Sequence, residues 1–186
     1  MKVFGRNGFR RAHAEQFLAG HGADRIPHPG GTLLAHLIRV ADVLAEWDAD
    51  ENIQLAGLCH AAYGTDGFAQ SLLELPERAT LAALIGNQAE ALVYFYGSCD
   101  RGFVYPRLAT SPVLFRDRFT GADSRPPTPA MSAFLEITAA NELDVMAHNE
   151  ALAAQHGAAL HALFAGAKQY LTAKAWQACD AQLRPE

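Results

Sequence analysis

The sequence TLLAHLIRVADVLAEW, residues 32–47, decides the fold. Its apolar side chains recur every three or four positions, which is the period of an α-helix with one buried face. Thr32 stands directly before them, where its hydroxyl can accept a hydrogen bond from a backbone N–H of the first turn. The stretch therefore predicts an amphipathic helix that Thr32 caps and that extends to about Trp47.

Helical periodicity continues on both sides of this stretch, and glycine or proline residues separate many of the periodic segments. The pattern predicts further helices over residues 10–20, 51–62, 68–73, 76–85, 87–96, 130–155 and 158–183, the last with a break near Gly166. We therefore expect an all-α fold.

Residues 98–129 differ from the rest, because they hold five of the nine prolines. Two short apolar and aromatic runs in this region, FVY at 103–105 and VLF at 113–115, have the composition of strands. We expect a small β-hairpin around residues 103–118 as the single departure from an all-α fold.

Length and composition indicate one globular domain. The chain has 186 residues, of which 50% are hydrophobic and 19% are charged. We expect a single domain over residues 1–186, with its core in about 20–150 and the helices of 158–183 packed on that core. The formal charge of −5 argues against nonspecific nucleic-acid binding, which needs a basic surface.

The sequence also bears on location. No apolar run reaches the roughly 18 residues of a membrane span, and residues 1–6 lack the apolar core of a signal peptide. Cys59, Cys99 and Cys179 form neither a disulfide framework nor a zinc motif. We expect a cytoplasmic protein with a small-molecule partner and no nucleic acid or membrane partner; a homodimer stays open.

Eight histidines stand out in this composition, and two of them lie on apolar helix faces. His36 lies on the apolar face of the 32–47 helix. His60 should be the last helical residue before a Tyr-Gly-Thr turn. A single histidine on such a face is more often an ordinary core residue, but imidazole is also the commonest metal ligand and a frequent general base. On the 130–155 helix, Asn141, Asp144 and His148 follow the same inner stripe, so three helices direct polar groups inward.

The segments around these histidines resemble the HD superfamily of helical metal proteins. The likeness lies in LLAHLIRVA at 33–41 and LAGLCH at 55–60. In that superfamily one histidine opens the first core helix, a His-Asp pair ends the second, and a later helix carries a final aspartate. Members bind one or two divalent metals; most are phosphohydrolases, and a minority use two irons to oxidise small molecules. The resemblance implies an HD-like helical bundle.

Two carboxylates of the HD pattern are missing. Ala61 follows His60 where aspartate is expected, and Asn141 stands in place of the late aspartate. Neutral ligands hold hard cations less firmly than carboxylates do. The resemblance therefore implies a weakened metal site. Asp144 and His148 lie one and two turns further along the same helix, and from this position alone we take them as candidates for a compensating fourth ligand.

The chain is also similar to an uncharacterised bacterial family of short HD-like proteins. This likeness lies in HPGGTLLAH at 28–36, AGLCHAAYGT at 56–65 and IGNQAE at 85–90, and it covers roughly residues 20–150. That family offers no established chemistry. The site residues that the likeness implies are His28, His36, His60, Tyr63, Thr65, Arg101 and Asn141.

The first functional hypothesis is a metal enzyme. His28, His36 and His60 would hold iron, manganese or zinc, which leaves an open position for hydrolysis or oxygenation. Further candidates for the fourth ligand, besides Asp144 and His148, are Asp66 and Glu90. On this hypothesis, to which the two below are alternatives, we expect a small-molecule hydrolase or oxygenase with a divalent metal.

The second hypothesis is a metal-free isomerase, cyclase or lyase. His36 or His60 would act as acid or base beside Tyr63, and Arg101 would bind an anionic substrate. A solvent-exposed salt bridge is an equal alternative for Arg101, and helix-end packing is the alternative for Tyr63. The substrate-binding candidates are Thr65, Arg101, Asn141 and Tyr105.

The third hypothesis is a non-catalytic binding protein. Its pocket would be lined by an aromatic cluster that ordinary core packing explains equally well. The members of that cluster are Tyr94, Phe95, Tyr96, Phe103 and Tyr105.

Overall fold

The computed structural model describes residues 6–185, so residues 1–5, on which much of the signal-peptide expectation rests, lie outside it. Helices, short 3-10 turns included, make up 65% of the described residues, which confirms the mostly all-α prediction. The α-helices of the described range are α1 Arg6–Gly20, α2 Leu33–Glu46, α3 Glu51–Leu58, α4 Arg78–Ile85, α5 Asn87–Gly97, α6 Arg101–Val104, α7 Thr128–Ala147, α8 Glu150–Gly166 and α9 Ala173–Leu183. None of these helices combines the length and the apolar character needed to cross a membrane.

Two pairs of short antiparallel strands interrupt the helices. β1 Pro27–His28 pairs with β2 Gly31–Thr32, and β3 Phe115–Arg116 pairs with β4 Asp123–Ser124. A small hairpin therefore exists in the proline-rich region, but it lies later in the chain than predicted. Residues 103–105 are helical instead, because the Asp100 side chain accepts from the Phe103 N–H at 2.9 Å and caps α6.

Helix α2 begins where the sequence predicts. The Thr32 hydroxyl oxygen accepts from the Ala35 N–H at 3.2 Å, which confirms the predicted cap. The inner face of α2 is buried against α3 and α7. The buried residues of α2 are Leu33, His36, Leu37, Val40, Ala41 and Leu44.

Two of the predicted helices differ clearly from the structure. Helix α3 ends at Leu58, not at residue 62. The chain turns at Cys59, and the His60 ring donates a hydrogen bond to the Gly57 carbonyl in the last turn of the helix. Residues 68–73 are not helical; the N–H groups of Leu72 and Leu73 both donate to the Ala62 carbonyl at 2.9 Å.

The predicted helix over 130–155 is two helices. Helix α7 ends at Ala147, and Asn149 caps α8 by accepting from the Leu152 N–H at 3.0 Å. The break predicted between residues 155 and 158 is absent, because α8 continues through it, whereas the break predicted near Gly166 is present. Helix α7 is buried along most of its length and contacts α2, α3, α5, α8 and α9, and it supplies Asn141, Glu142 and Val145 to the site described next.

Candidate functional site

Helices α2 and α7 meet at a buried histidine. His36 is fully buried, and its Nδ1 donates a hydrogen bond to Asp144 Oδ2 at 2.6 Å. Its other ring nitrogen, Nε2, lies 3.1 Å from Asn141 Oδ1. Asn141 and Asp144 are three residues apart on α7 and therefore share one helix face. Both edges of the imidazole are held by the same helix.

The amide of Asn141 is oriented by its neighbour. Its Nδ2 donates to Glu142 Oε1 at 3.1 Å, which leaves Oδ1 facing the His36 ring. Asn141 Oδ1 and the Asp144 carboxylate both accept hydrogen bonds, so each nitrogen of the His36 ring faces an acceptor.

Arg39 holds Asp144 from one turn further along α2. Its Nε and Nη2 donate to the two carboxylate oxygens at 2.6 and 2.8 Å. Burial alone would raise the pKa of Asp144, but the hydrogen bonds from His36 and Arg39 outweigh burial and lower that pKa to about 2. Asp144 is therefore a carboxylate whose partners are fixed.

The same arginine positions the turn between β1 and β2. Arg39 Nη2 donates to the Pro29 carbonyl at 3.1 Å, and Nη1 donates to the Gly30 carbonyl at 3.3 Å. Gly30 has a φ of +78°, and a Cβ there would lie 2.5 Å from the His148 ring. Only glycine fits this approach, so the turn lies tightly against α7 and sets the position of His28.

His28 stacks on His36 with ring centroids 4.1 Å apart and ring planes 30° apart. Its Nδ1 is buried and has no hydrogen-bond partner among the described residues. Burial, reinforced by the nearby His36, lowers the pKa of His28 to about 4. His28 is therefore neutral near pH 7 and presents an unpaired polar atom.

His60 lies in the turn after α3 and is 3% exposed. Its Nδ1 donates to the Gly57 carbonyl at 2.7 Å, and because a carbonyl only accepts, Nε2 carries the lone pair. That Nε2 makes no hydrogen bond within residues 6–185. Burial, with a further contribution from His36, lowers the pKa of His60 to about 3. His60 is a neutral imidazole with a fixed tautomer.

Arg101, the first residue of α6, is held from both ends. Its backbone N–H donates to Asp66 Oδ2 at 2.8 Å. Its guanidinium donates to Glu142 Oε1 at 3.2 Å and to the Tyr96 hydroxyl at 3.3 Å. The side chain is 22% exposed, so the pair with Glu142 is not a solvent-exposed salt bridge. A guanidinium has five N–H donors, more than these two acceptors use.

These side chains surround a cavity of about 280 Å³, here called the histidine cavity. The described structure brings six of the predicted site residues to its wall. They are His28, His36, His60, Thr65, Arg101 and Asn141. The convergence joins the turn before α2, the turn after α3, α6 and α7, which are far apart in the sequence.

Other predicted site residues do not line the histidine cavity. The Tyr63 hydroxyl donates to Glu90 Oε1 at 3.0 Å, and Glu90 also accepts two hydrogen bonds from Arg78. Tyr63 therefore belongs to a separate buried cluster, which agrees with the alternative of a packing role at the end of the helix. Tyr105 lines a neighbouring cavity. His148 Nδ1 donates to the Asp144 backbone carbonyl at 2.8 Å and ends α7.

The three histidines do not fit a metal ion in this arrangement. Both nitrogens of His36 are engaged in hydrogen bonds. An imidazole ligates through a lone pair in its ring plane, and the lone pairs of His28 and His36 lie in two stacked planes that are 30° apart. Among the described residues no group of three or more histidine, cysteine, aspartate or glutamate side chains is placed to hold a metal.

Sequence reasoning missed Arg39, Glu142 and the role of Gly30. Arg39 is three residues after His36 and therefore lies on the same side of α2. That spacing was the one signal in the sequence that could have identified Arg39. Glu142 follows Asn141 directly, but nothing in the sequence pairs it with Arg101. Arg39 and Glu142 position the site by pairing with Asp144 and Arg101, and Gly30 allows the turn to approach His148 closely.

Comparison with known proteins gives one match. Residues 17–101 match a family model described as a domain of unknown function (DUF6817). This segment is just under half of the chain; it includes His28, His36, His60 and Arg101 but not Asn141 or Asp144. No curated protein and no solved structure matches the chain.

Proposed function

We propose that this protein is a small-molecule enzyme that performs acid–base chemistry on an anionic substrate in the histidine cavity, without a metal held by its histidines. The reaction class is that of an isomerase, cyclase or lyase. The observation that carries the proposal is the state of His60: its tautomer is fixed by the Gly57 carbonyl, and its Nε2 has no protein partner in the cavity wall.

His60 supplies the base in this proposal. Nε2 accepts a proton from the substrate and forms imidazolium, then returns the proton to another atom of the same molecule, so no co-reactant is needed. In the free protein the low pKa of His60 makes it a weak base. A bound anion opposes the effect of burial, because a nearby negative charge favours imidazolium and raises the pKa.

Arg101 supplies the anion site. Its guanidinium keeps unused donors at the cavity wall, and a carboxylate or phosphate can accept from them in pairs. Glu142 balances this charge when the cavity holds no anion. Thr65 and Asn141 are the remaining substrate contacts of the proposal.

A cysteine nucleophile is not part of the proposed chemistry. Cys59 precedes His60 in the chain, but it is fully buried, and burial raises the pKa of its thiol to about 12.

The cysteines are free in the described structure, which supports the proposal of a reducing, cytoplasmic location.

Kinship with the HD superfamily remains a proposal. Its support is the meeting of His36 from α2, His60 after α3 and Asn141 from α7, which is the order of elements that the resemblance implies. In this reading two carboxylates of the superfamily's metal centre are absent, and hydrogen bonds to Asn141 and Asp144 engage His36 where a metal would otherwise bind.

A non-catalytic binding protein is the second candidate. The low pKa of His60 favours it, because a group that stays neutral well below pH 7 is a poor base until a ligand changes its surroundings.

The test uses protein treated with a chelator and shown by elemental analysis to be metal-free. This protein is incubated with a cell extract of small carboxylic acids and phosphate esters, and substrate loss and product formation are followed by mass spectrometry. The matched variant is His60→Asn, since an asparagine amide can keep the hydrogen bond to Gly57 while it removes the base. We expect conversion of an anion that falls at least about 100-fold in the variant.

Three results discriminate. Conversion that requires added zinc, manganese or iron, or conversion that His60→Asn leaves unchanged, contradicts the proposal. An anion that binds stoichiometrically and is recovered unaltered supports the binding protein instead.

A further inference from the structure

A second cavity, of about 340 Å³, adjoins the histidine cavity and is here called the apolar cavity. The two cavities have four wall residues in common, Arg101, Glu142, Val145 and Leu152. The two cavities are therefore neighbours, and the Arg101–Glu142 pair lies in the wall between them.

The walls of the apolar cavity come mainly from α7 and α8. Val145 and Met146 lie at the end of α7, and Leu160 and Leu163 face them from α8. Helix α8 fully buries just Gly157 and Phe164 over its 17 residues. Its leucines are only partly buried, so this face of α8 has apolar surface to offer a ligand.

An unpaired hydroxyl lies in the wall of the apolar cavity. The Tyr105 hydroxyl is buried and has no hydrogen-bond partner within the described chain. Buried polar groups are nearly always paired, so an unpaired one in a cavity wall points to a ligand atom that pairs with it. The Arg101 guanidinium carbon lies 5.6 Å from the centre of the Tyr105 ring, which places this aromatic residue beside the charge at the junction.

We infer that the ligand of this site is an amphipathic acid: a small anionic head in the histidine cavity and an unbranched hydrocarbon tail in the apolar cavity. The inference rests on the proposed function for the position of the head. The charge of Arg101 selects the anion, and the leucines beyond it select the tail. The Tyr105 hydroxyl bonds an oxygen of the head where the tail begins.

The experiment measures binding of butanoate, hexanoate, octanoate and 1-octanol to the full chain by calorimetry. Each methylene that enters an apolar cavity strengthens binding by about fourfold, the factor that corresponds to about 0.8 kcal/mol per methylene. We therefore expect octanoate to bind at least 100-fold more tightly than butanoate, at one molecule per chain. 1-Octanol, which lacks the charge, should bind much more weakly than octanoate.

Two variants locate the tail. Leu160→Trp fills the apolar cavity and should bring octanoate affinity close to that of butanoate, while butanoate binding is unchanged. Tyr105→Phe removes one hydroxyl and preserves the packing; it should weaken octanoate by about threefold to tenfold. Where Leu160→Trp does not fold, the chain-length series and Tyr105→Phe decide.

The outcomes separate this inference from the proposed function. Butanoate and octanoate that bind equally, or octanoate binding that a folded Leu160→Trp variant leaves intact, overturn the tail site while the head site stands. If no carboxylate binds, whether or not 1-octanol binds, the anion site is overturned, and with it both the proposed function and the tail site.

Discussion

His36 donates a hydrogen bond to Asp144 across 2.6 Å, and the two side chains are 1% and 5% exposed. The contact joins α2 to α7, and Arg39 closes it by holding both oxygens of the same carboxylate. We therefore expect the fold and the histidine cavity to depend on this one hydrogen-bonded network around Asp144.

Removing Asp144 should destabilise the protein strongly. Asp144→Ala leaves His36 and Arg39 without their acceptor, and breaking a buried pair in this way costs about 3 kcal/mol of unfolding free energy. Urea unfolding of the wild type and of Asp144→Ala measures this loss of unfolding free energy. The control is Asp123→Ala, which breaks the exposed pair with Arg116 and should change stability little. Equal effects of the two variants would show that the network does not support the fold.

Stability should fall as the pH drops below 6.5, and His60 should be one cause. Its pKa is about 3 in the folded protein and 6.5 in the unfolded chain, so the unfolded chain binds the proton first. The stability due to neutral His60 is present above pH 6.5 and is lost towards pH 3, at about 1.4 kcal/mol per pH unit.

Urea unfolding at several pH values tests this. His60→Asn should flatten the slope between pH 6.5 and pH 4, whereas His21→Asn should not. His21 is the matched control because its Nδ1 donates to the Phe17 carbonyl at the end of α1, but its side chain is exposed. A slope that is the same in wild type and in His60→Asn would be inconsistent with a buried neutral imidazole.

Gly30→Ala should disturb the turn that carries His28. The new methyl group would lie 2.5 Å from the His148 ring at a φ of +78°. We expect a loss of about 1–3 kcal/mol and a changed NMR signal of the His28 ring, which loses its stacking on His36.

A matched glycine variant provides the comparison for Gly30. Gly157→Ala lies within α8, where a Cβ meets nothing within 4 Å, and it should increase stability by up to about 1 kcal/mol. If both alanine variants were equally stable, the close approach at Gly30 would not be a constraint.

The break between α7 and α8 should depend on Asn149. Asn149→Ala removes the acceptor for the Leu152 N–H and should cost about 1 kcal/mol in thermal or urea unfolding. Gln155→Ala, an exposed position on the same helix, is the control and should be close to neutral. A neutral Asn149→Ala would mean that the helices separate for another reason.

The sequence predicts the helices well where one apolar face decides them. The period of residues 32–47 places α2 and puts His36 on its buried face, and Thr32 marks its first turn. The bounds fail where a side chain ends a helix. His60 and His148 each donate Nδ1 to a terminal carbonyl, of α3 and α7 respectively, and apolar periodicity does not register such caps.

Much of the site was predictable residue by residue, but its chemistry was not. Six predicted residues line the histidine cavity, and two of them, His36 and Asn141, face each other from core helices in a hydrogen bond. The pairing of Arg39 with Asp144 spans 105 residues of sequence, and no local pattern encodes it. Whether three histidines bind a metal depends on ring orientation, which residue spacing does not specify.

The most direct test of the central claim is nitrogen NMR of the histidine rings in the metal-free full chain, before and after saturation with butanoate. We predict that His60 at pH 7 is neutral with its proton on Nδ1, and that bound butanoate raises the pKa of His60 while Nε2 keeps its lone pair at pH 7. A His60 ring that carries its proton on Nε2, or a His60 pKa that bound butanoate leaves unchanged, would contradict the account.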